Sequence, residues 1–86
     1  QNALDDPDNP PMTDEELDRA VAGRRVRQIR AKTGLSQNMF AKQFQINPAR
    51  LRDWEQGRFM PDSVAMAYLK VIEHSPKAVE AALGSK

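Results

Sequence analysis

The chain has 86 residues, a formal net charge of +1 and no cysteine. This length allows one domain, and the lack of cysteine excludes disulfides and thiolate metal sites. No apolar run is long enough to cross a membrane, and no basic-then-apolar leader opens the chain. We therefore expect a soluble protein of the cytoplasm, without a cofactor.

Charge is unevenly distributed along the chain. Residues 1–18 contain seven acidic residues and no basic one, whereas residues 19–60 contain ten basic residues and two acidic ones. Such segregation indicates a basic binding surface beside an acidic segment, and it makes nucleic acid a candidate partner. The alternative is that the charges only solvate a small domain.

The chain begins with an acidic, proline-rich stretch, residues 1–11, which we expect to be a flexible arm because it has little apolar surface to bury. Thr13, followed by three acidic residues, is typical of a capping box at a helix start. Leu17 and Val21 are four residues apart and predict a short helix that ends by Gly23.

A second helix is predicted from Arg24 to Thr33. Val26 and Ile29 would form its inner stripe, and Gly34 would end it.

Residues 36–57 then predict two short helices joined by a tight turn. Ser36 can cap the first helix, and Phe40, Ala41 and Phe44 share one apolar face of it.

Asn47 can cap the second helix, whose first residue would be Pro48, where a missing N–H costs nothing. Leu51 and Trp54 give this helix a buried face, and Gly57 is placed to end it. Two helices joined in this way form a helix-turn-helix, a unit that inserts its second helix into a DNA groove.

Two further helices follow the motif. Asp62 can cap the first, and Ser75 followed by Pro76 can open the second. No segment shows the period-two alternation of a strand. The sequence therefore predicts an all-α domain of five to six short helices over residues 12–84.

The pattern Leu-Ser-Gln-x-x-Phe-Ala at residues 35–41, followed by Leu-x-x-Trp-Glu-x-Gly at residues 51–57, resembles the Cro and phage-repressor type of helix-turn-helix domain. The resemblance covers residues 24–74. More narrowly, residues 51–58 and the Pro61-Asp62 and Ser75-Pro76 helix starts are similar to HigA-type antitoxins.

The resemblance implies a lambda-repressor-like fold and a sequence-specific regulator of transcription, generally a repressor. For an antitoxin it also implies control of its own operon and neutralisation of a basic RNase toxin. Repressors of this shape act as homodimers on pseudo-palindromic double-stranded DNA. The candidate residues of the dimer interface lie on the last two helices: Tyr68, Ile72, Val79 and Leu83. For Tyr68 and Ile72, packing in the core of the domain is the alternative.

The resemblance also assigns roles to three residues. Arg30 and Glu55 occupy positions where such domains hold an ion pair that ties the first core helix to the recognition helix. The alternative is an ordinary surface pair worth about 0–1 kcal/mol. Gln37 matches a glutamine that contacts DNA backbone or a base edge, and its alternative is a solvated residue at a helix start.

Successive residues of the second motif helix are rotated by about 100°, so one side of this helix faces away from its buried residues. We expect this outward side to read DNA. Arg52 fits guanine, and Asp53 could either accept from cytosine N4 or orient a neighbouring arginine, Arg50 or Arg52. Arg50 lies at the edge of this face and could contact a phosphate or a base. Also on or beside the face are Asn47, Pro48, Ala49 and Gln56, of which Pro48 and Ala49 can offer only apolar contact to a thymine methyl. Phosphate candidates are Arg24, Arg25, Arg27, Lys42 and Arg58.

Two other classes of function are alternatives to DNA binding. An enzyme is not expected, because the single histidine, His74, has no second ligand or orienting carboxylate at a recognisable spacing. We therefore predict no catalytic and no metal site. A protein-interaction module with little DNA readout is the alternative function, favoured by Pro48 and Ala49 and by the apolar Met39 and Phe59.

Overall fold

The computed structural model describes residues 12–84, and within that range it contains five helices and no strand. The all-α prediction is confirmed. In chain order the helices are α1 (Asp14–Thr33), α2 (Gln37–Phe44), α3 (Pro48–Glu55), α4 (Ser63–His74) and α5 (Pro76–Gly84). The predicted arm, residues 1–11, lies outside the described residues.

Helix α1 is continuous over 20 residues, so the predicted break at Gly23 is wrong. Gly23 is a packing residue, because a Cβ atom placed on it would lie 2.5 Å from the carbonyl oxygen of Trp54. Glycine inside a helix costs about 1 kcal/mol relative to alanine, and here it permits close approach of α1 to α3. The helix ends at Gly34, whose φ of 74° is left-handed.

The N-terminal half of α1 contributes little to the core. Thr13 and Glu16 form the predicted capping box, with backbone-to-side-chain hydrogen bonds of 2.9 and 3.1 Å. Leu17 and Val21, however, are 51% and 61% exposed. The buried residues of α1 begin only at Gly23, and before it the helix approaches the domain through Arg19 and Ala20, which lie beside Gly57.

The core contains the apolar residues predicted for both motif helices. The rings of Phe40 and Phe44 lie 4.9 Å apart at their centroids, in a tilted arrangement that aromatic pairs favour. Among the described residues, the buried hydrophobic core consists of Val26, Ile29, Phe40, Ala41, Phe44, Leu51, Trp54, Leu69, Ile72 and Val79.

Two of the four candidate interface residues lie in the core of their own chain, so the core-packing alternative holds for Ile72 and the prediction of Val79 as an interface residue is wrong. Ile72 and Val79 are buried, and Leu83 packs against the core. The hydroxyl of Tyr68 donates a 2.6 Å hydrogen bond to the carbonyl oxygen of Phe44. Tyr68 and Leu83 are half-buried, so a part for them in a dimer interface stays a prediction.

Candidate nucleic-acid interface

Local hydrogen bonds define the start of α2 and the turn between α2 and α3. Ser36 caps α2 by accepting from the Met39 amide at 3.2 Å. Gln45 ends α2 in the left-handed conformation, with a φ of 57°. The side-chain oxygen of Asn47 then accepts from the amides of Ala49 at 2.9 Å and Arg50 at 3.2 Å. The N-caps Ser36 and Asn47 satisfy backbone donors that the helices cannot pair themselves, and the amide of Gln45 donates to carbonyl oxygens at the end of α2.

Helix α3 has two chemically distinct faces. Leu51, Trp54 and Glu55 are buried against the domain. The residues predicted on the outward face, and Arg50 at its edge, are exposed, apart from the half-buried Asp53: Pro48, Ala49, Arg50, Arg52, Asp53 and Gln56. The helix therefore presents one solvent-facing surface from its first residue to its C-cap.

Asp53 pairs with Arg58, and not with Arg50 or Arg52, the two arginines that the sequence suggested. Its carboxylate lies 3.6 Å from the Arg58 guanidinium, beyond the end of α3. This pair forms because the turn after α3 brings Arg58 back beside Asp53, and the Arg58 amide donates to the Asp53 carbonyl at 2.9 Å. Within residues 12–84, the Arg52 side chain makes no hydrogen bond or ion pair.

A buried hydrogen-bonded cluster lies behind α3. Glu55 is only 2% exposed, and Arg30 donates to both of its carboxylate oxygens, at 2.7 and 3.0 Å. Arg30 also donates to the carbonyl oxygen of Leu35 at 3.0 Å. The hydrogen bonds to Glu55 raise the pKa of the Arg30 guanidinium. Arginine side chains stay charged in proteins, so the buried Glu55 carboxylate always has a cation beside it.

Gln37 joins this cluster at the start of α2. Its side-chain NH₂ donates to a carboxylate oxygen of Glu55 at 2.9 Å, so the side chain is half-buried rather than freely solvated. A carboxylate can only accept, and this fixes which end of the Gln37 amide faces it. The amide oxygen is left for other contacts, and its use toward DNA stays a prediction.

Cationic side chains of α1 surround the C-terminal end of α3, a feature that sequence reasoning missed. Arg19 donates to the carbonyl oxygen of Gly57 at 3.1 Å, and Arg27 donates to that of Glu55. These bonds satisfy carbonyls at the negative end of the helix dipole. The sequence did carry a signal for this arrangement, because Arg19, Gly23 and Arg27 are spaced four residues apart and so lie on one side of a helix. The role of Arg27 as a phosphate contact stays a prediction.

The role of Arg25 as a phosphate contact stays a prediction, because this arginine pairs with a carboxylate of α4. Counting about 100° per residue from Gly23, which faces α3, Arg25 lies on the far side of α1. There it pairs with Glu73 of α4 at 2.6 Å, and Lys32 pairs with the same carboxylate at 2.5 Å. Hydrogen bonds from Arg25 and then Lys32 lower the pKa of Glu73 to about 2.

The other phosphate candidates are accessible. Arg24, Lys42 and Arg58 are exposed.

His74 is exposed in the last turn of α4, and no group of three histidine, cysteine or carboxylate side chains within residues 12–84 could hold a metal ion. None of the five described helices is both long and apolar enough to cross a membrane.

Comparison with known proteins agrees with this geometry. A family model described as "Helix-turn-helix domain" matches residues 21–83. Antitoxin HigA-2 of Vibrio cholerae serotype O1 is 31% identical over 51 residues, which are 59% of this chain and 49% of that protein. The chain thus spans about half the length of this relative, and no solved structure matches it. The chain belongs to the helix-turn-helix domain family, and its sequence is related to that of a HigA antitoxin.

Proposed function

We propose that this chain is a sequence-specific, double-stranded-DNA-binding repressor of transcription whose α3 enters the major groove. The observation that carries the proposal is the division of α3 into a buried face, held through Glu55, and an exposed face that includes Arg52. A rigidly held helix with a free outer face is the arrangement that major-groove reading requires. Such a repressor acts in the bacterial cytoplasm, bound to the nucleoid when it occupies its operator.

Base reading is assigned mainly to Arg52. Its guanidinium makes no bond within residues 12–84 and can donate to both O6 and N7 of a guanine. Ala49 and Pro48 offer apolar contact to a thymine methyl. Asp53 already lies near Arg58, so we assign it the orienting role toward that arginine as well as acceptance from cytosine N4.

Backbone contacts are assigned to groups around both helix starts. The side-chain oxygen of Asn47 is used as a cap, which leaves its NH₂ as a donor for a phosphate. Lys42, Arg50 and Arg58 are exposed cations near the motif and supply affinity without sequence information. The amides at the start of α2 also favour an anion.

Selection from a random double-stranded DNA pool tests this proposal. The expected result is enrichment of a pseudo-palindromic sequence that contains a guanine in each half-site, with binding that weakens as salt rises. Binding of equal strength to all pool members, or no binding at low salt, would contradict it and favour the protein-interaction module.

A second candidate function is that of antitoxin, with a small basic RNase toxin as partner. It is supported by the relation to antitoxin HigA-2 and by the acidic start of α1. Asp14, Glu15 and Asp18 accompany the exposed Leu17 and Val21, so this surface offers negative charge and apolar area together. Such a surface suits a basic protein with an apolar contact region.

The adjacent reading frame in the source genome supplies the test. If it encodes a small basic protein, we expect the two products to co-purify and the complex to weaken when Asp14 and Asp18 are changed to Lys. Exposed acids elsewhere, such as Glu80→Lys, provide the matched control. Equal loss from both changes would contradict a specific site on α1.

A further inference from the structure

The chain leaves α3 through a turn that pairs some of the last carbonyl oxygens of this helix. The amide of Gly57 donates to the carbonyl oxygen of Trp54 at 3.1 Å. The amide of Arg58 donates to the carbonyl oxygen of Asp53 at 2.9 Å. Together with the left-handed φ of 72° at Gly57, these two bonds form a Schellman motif. Within residues 12–84, no backbone donor reaches the carbonyl oxygen of Glu55, the last residue of α3.

Helix α1 supplies the missing donor and a second one beyond it. The guanidinium of Arg27 donates to the carbonyl oxygen of Glu55, and Nε of Arg19 donates to that of Gly57 at 3.1 Å. Gly23 lies between these two arginines on the same side of α1, and a Cβ atom on it would lie 3.0 Å from the carbonyl oxygen of Glu55. We call Arg19, Gly23 and Arg27 the α1 clamp.

We propose that Arg19 and Arg27 are positioning residues for DNA reading. They hold the C-terminal end of α3 and the turn after it in place, and they contact no DNA themselves. The proposal rests on the proposed function, because it concerns the helix that reads the operator. It gives Arg27 a different role from the phosphate contact that the sequence suggested.

Arg58 is the exposed cation that depends most directly on the α1 clamp. The peptide group that joins Gly57 to Arg58 is bonded at both ends, because its N–H donates to the carbonyl oxygen of Asp53 and its oxygen accepts from Arg19. The Arg58 guanidinium lies 3.6 Å from the Asp53 carboxylate. The Arg58 side chain therefore starts from a fixed point beside the outer face of α3. A group that is held before binding loses less conformational freedom when it binds.

Small errors in the angle of α3 become large at its first residues. This helix has eight residues and is about 12 Å long, so a tilt of about 10° at its C-terminal end moves its start by about 2 Å. Recognition groups have to be held within about 0.5 Å of their productive positions. Arg30 holds the Glu55 side chain, and the α1 clamp adds the carbonyl oxygens of Glu55 and Gly57. Helix α1 thus holds the end of α3 at several points instead of one.

DNA binding by the full chain distinguishes positioning from phosphate contact. The two probes are a duplex with the sequence enriched from the random pool and the same duplex altered at its guanine. Arg19→Ala and Arg27→Ala should each lower the ratio of the two affinities about tenfold. The slope of log affinity against log salt should stay that of the parent, because no phosphate contact is removed.

A phosphate contact would give the opposite pair of results. Both affinities would fall alike, and the salt slope would decrease by about 0.9 for each arginine removed. That outcome would overturn the proposal. Lys42→Ala provides the reference for a phosphate contact. Arg24→Ala is the matched control, because it removes an exposed arginine of α1 that makes no bond within residues 12–84, and it should leave the ratio unchanged.

Amide hydrogen exchange of the full chain without DNA measures the α1 clamp itself. In the double variant Arg19→Ala, Arg27→Ala, the amides of residues 56–58 should exchange about tenfold faster than in the parent, relative to the amides of α2. General loss of stability would accelerate both groups alike, so an equal change in residues 56–58 and in α2 would overturn the proposal. If the double variant does not fold, each single variant gives the same comparison.

The failure of this proposal can be told from failure of the proposed function. Selection of a DNA sequence, with the same affinity ratio in the parent and in both arginine variants, would support the repressor and overturn the positioning role. Faster exchange at residues 56–58 without selection of any sequence would contradict the repressor. It would support the contact of α1 with the end of α3 and overturn its role in reading bases.

Discussion

The two faces of α3 differ in almost every physical property. On the inner face, Glu55 is buried and bonded to Arg30 and Gln37, and α1 supplies donors to the end of the helix. On the outer face, Ala49 and Arg52 are exposed, and neither forms a side-chain bond within residues 12–84. The inner face is committed to holding the helix, and the outer face is available for a ligand. Substitutions on the two faces should therefore change different quantities.

The largest expected effect is on the inner face, with Arg30→Ala. This change leaves the buried Glu55 carboxylate without its cation and should lower the free energy of unfolding by about 3–5 kcal/mol. Chemical denaturation of the variant and the parent measures this difference in the free energy of unfolding. The double variant Arg30→Ala, Glu55→Ala should lose less than Arg30→Ala alone, because no uncompensated charge remains.

The matched control for that prediction is Arg24→Ala, which removes an exposed arginine from the same helix and should change the free energy of unfolding by no more than about 0.5 kcal/mol. Equal losses from Arg30→Ala and Arg24→Ala would show that the pair behind α3 is an ordinary surface pair.

Gly23→Ala should have the next largest effect. Alanine normally stabilises a helix interior relative to glycine by up to about 1 kcal/mol. Here the added methyl group would lie 2.5 Å from the Trp54 carbonyl oxygen, so we expect a net loss of about 1–3 kcal/mol instead. Gly84→Ala should be neutral or stabilising, because a Cβ atom on Gly84 would meet no packed group within 4 Å. A stabilising Gly23→Ala would contradict the close contact of α1 with α3.

A smaller effect is expected where α1 meets α4, far from the outer face of α3. The pKa of Glu73 is lowered from 4.5 to about 2, so its ion pairs stabilise the fold above pH 4.5 and are lost as the pH falls toward 2. The variant Glu73→Gln should have a lower melting temperature than the parent at pH 7, and the two should converge near pH 2.

Comparing the two proteins at each pH removes the contribution of the other carboxylates, which titrate in both. Glu80→Gln, an exposed glutamate on α5, is the control and should parallel the parent throughout. A constant difference between parent and Glu73→Gln across this range would contradict the ion-pair account.

The fold could be predicted from the sequence where its signals are local. The caps at Ser36, Asn47 and Asp62 involve residues within three positions of one another, and the structure has each of them. The apolar faces of the motif helices were also recovered, because periodicity places such residues on one side whatever they pack against.

What could not be predicted depends on contacts between distant parts of the chain. Gly23 was interpreted as a helix end because glycine commonly ends helices, whereas its contact with Trp54 is a tertiary one. The pairing of Arg25 with Glu73 spans 48 residues. Val79 was assigned to a dimer interface although the core uses it, and for Ile72 the sequence left core and interface both open. Periodicity identifies an apolar face without saying which neighbour covers it.

The central claim, that the outer face of α3 reads DNA bases, is tested most directly by the specificity ratio of Arg52→Ala. The ratio compares the affinity for the selected sequence with that for the same DNA altered at its guanine. We predict that the variant loses about 1–3 kcal/mol of this discrimination while its free energy of unfolding is unchanged. Lys42→Ala, the control, should weaken binding to both sequences alike. A ratio for Arg52→Ala equal to that of the parent would contradict the account.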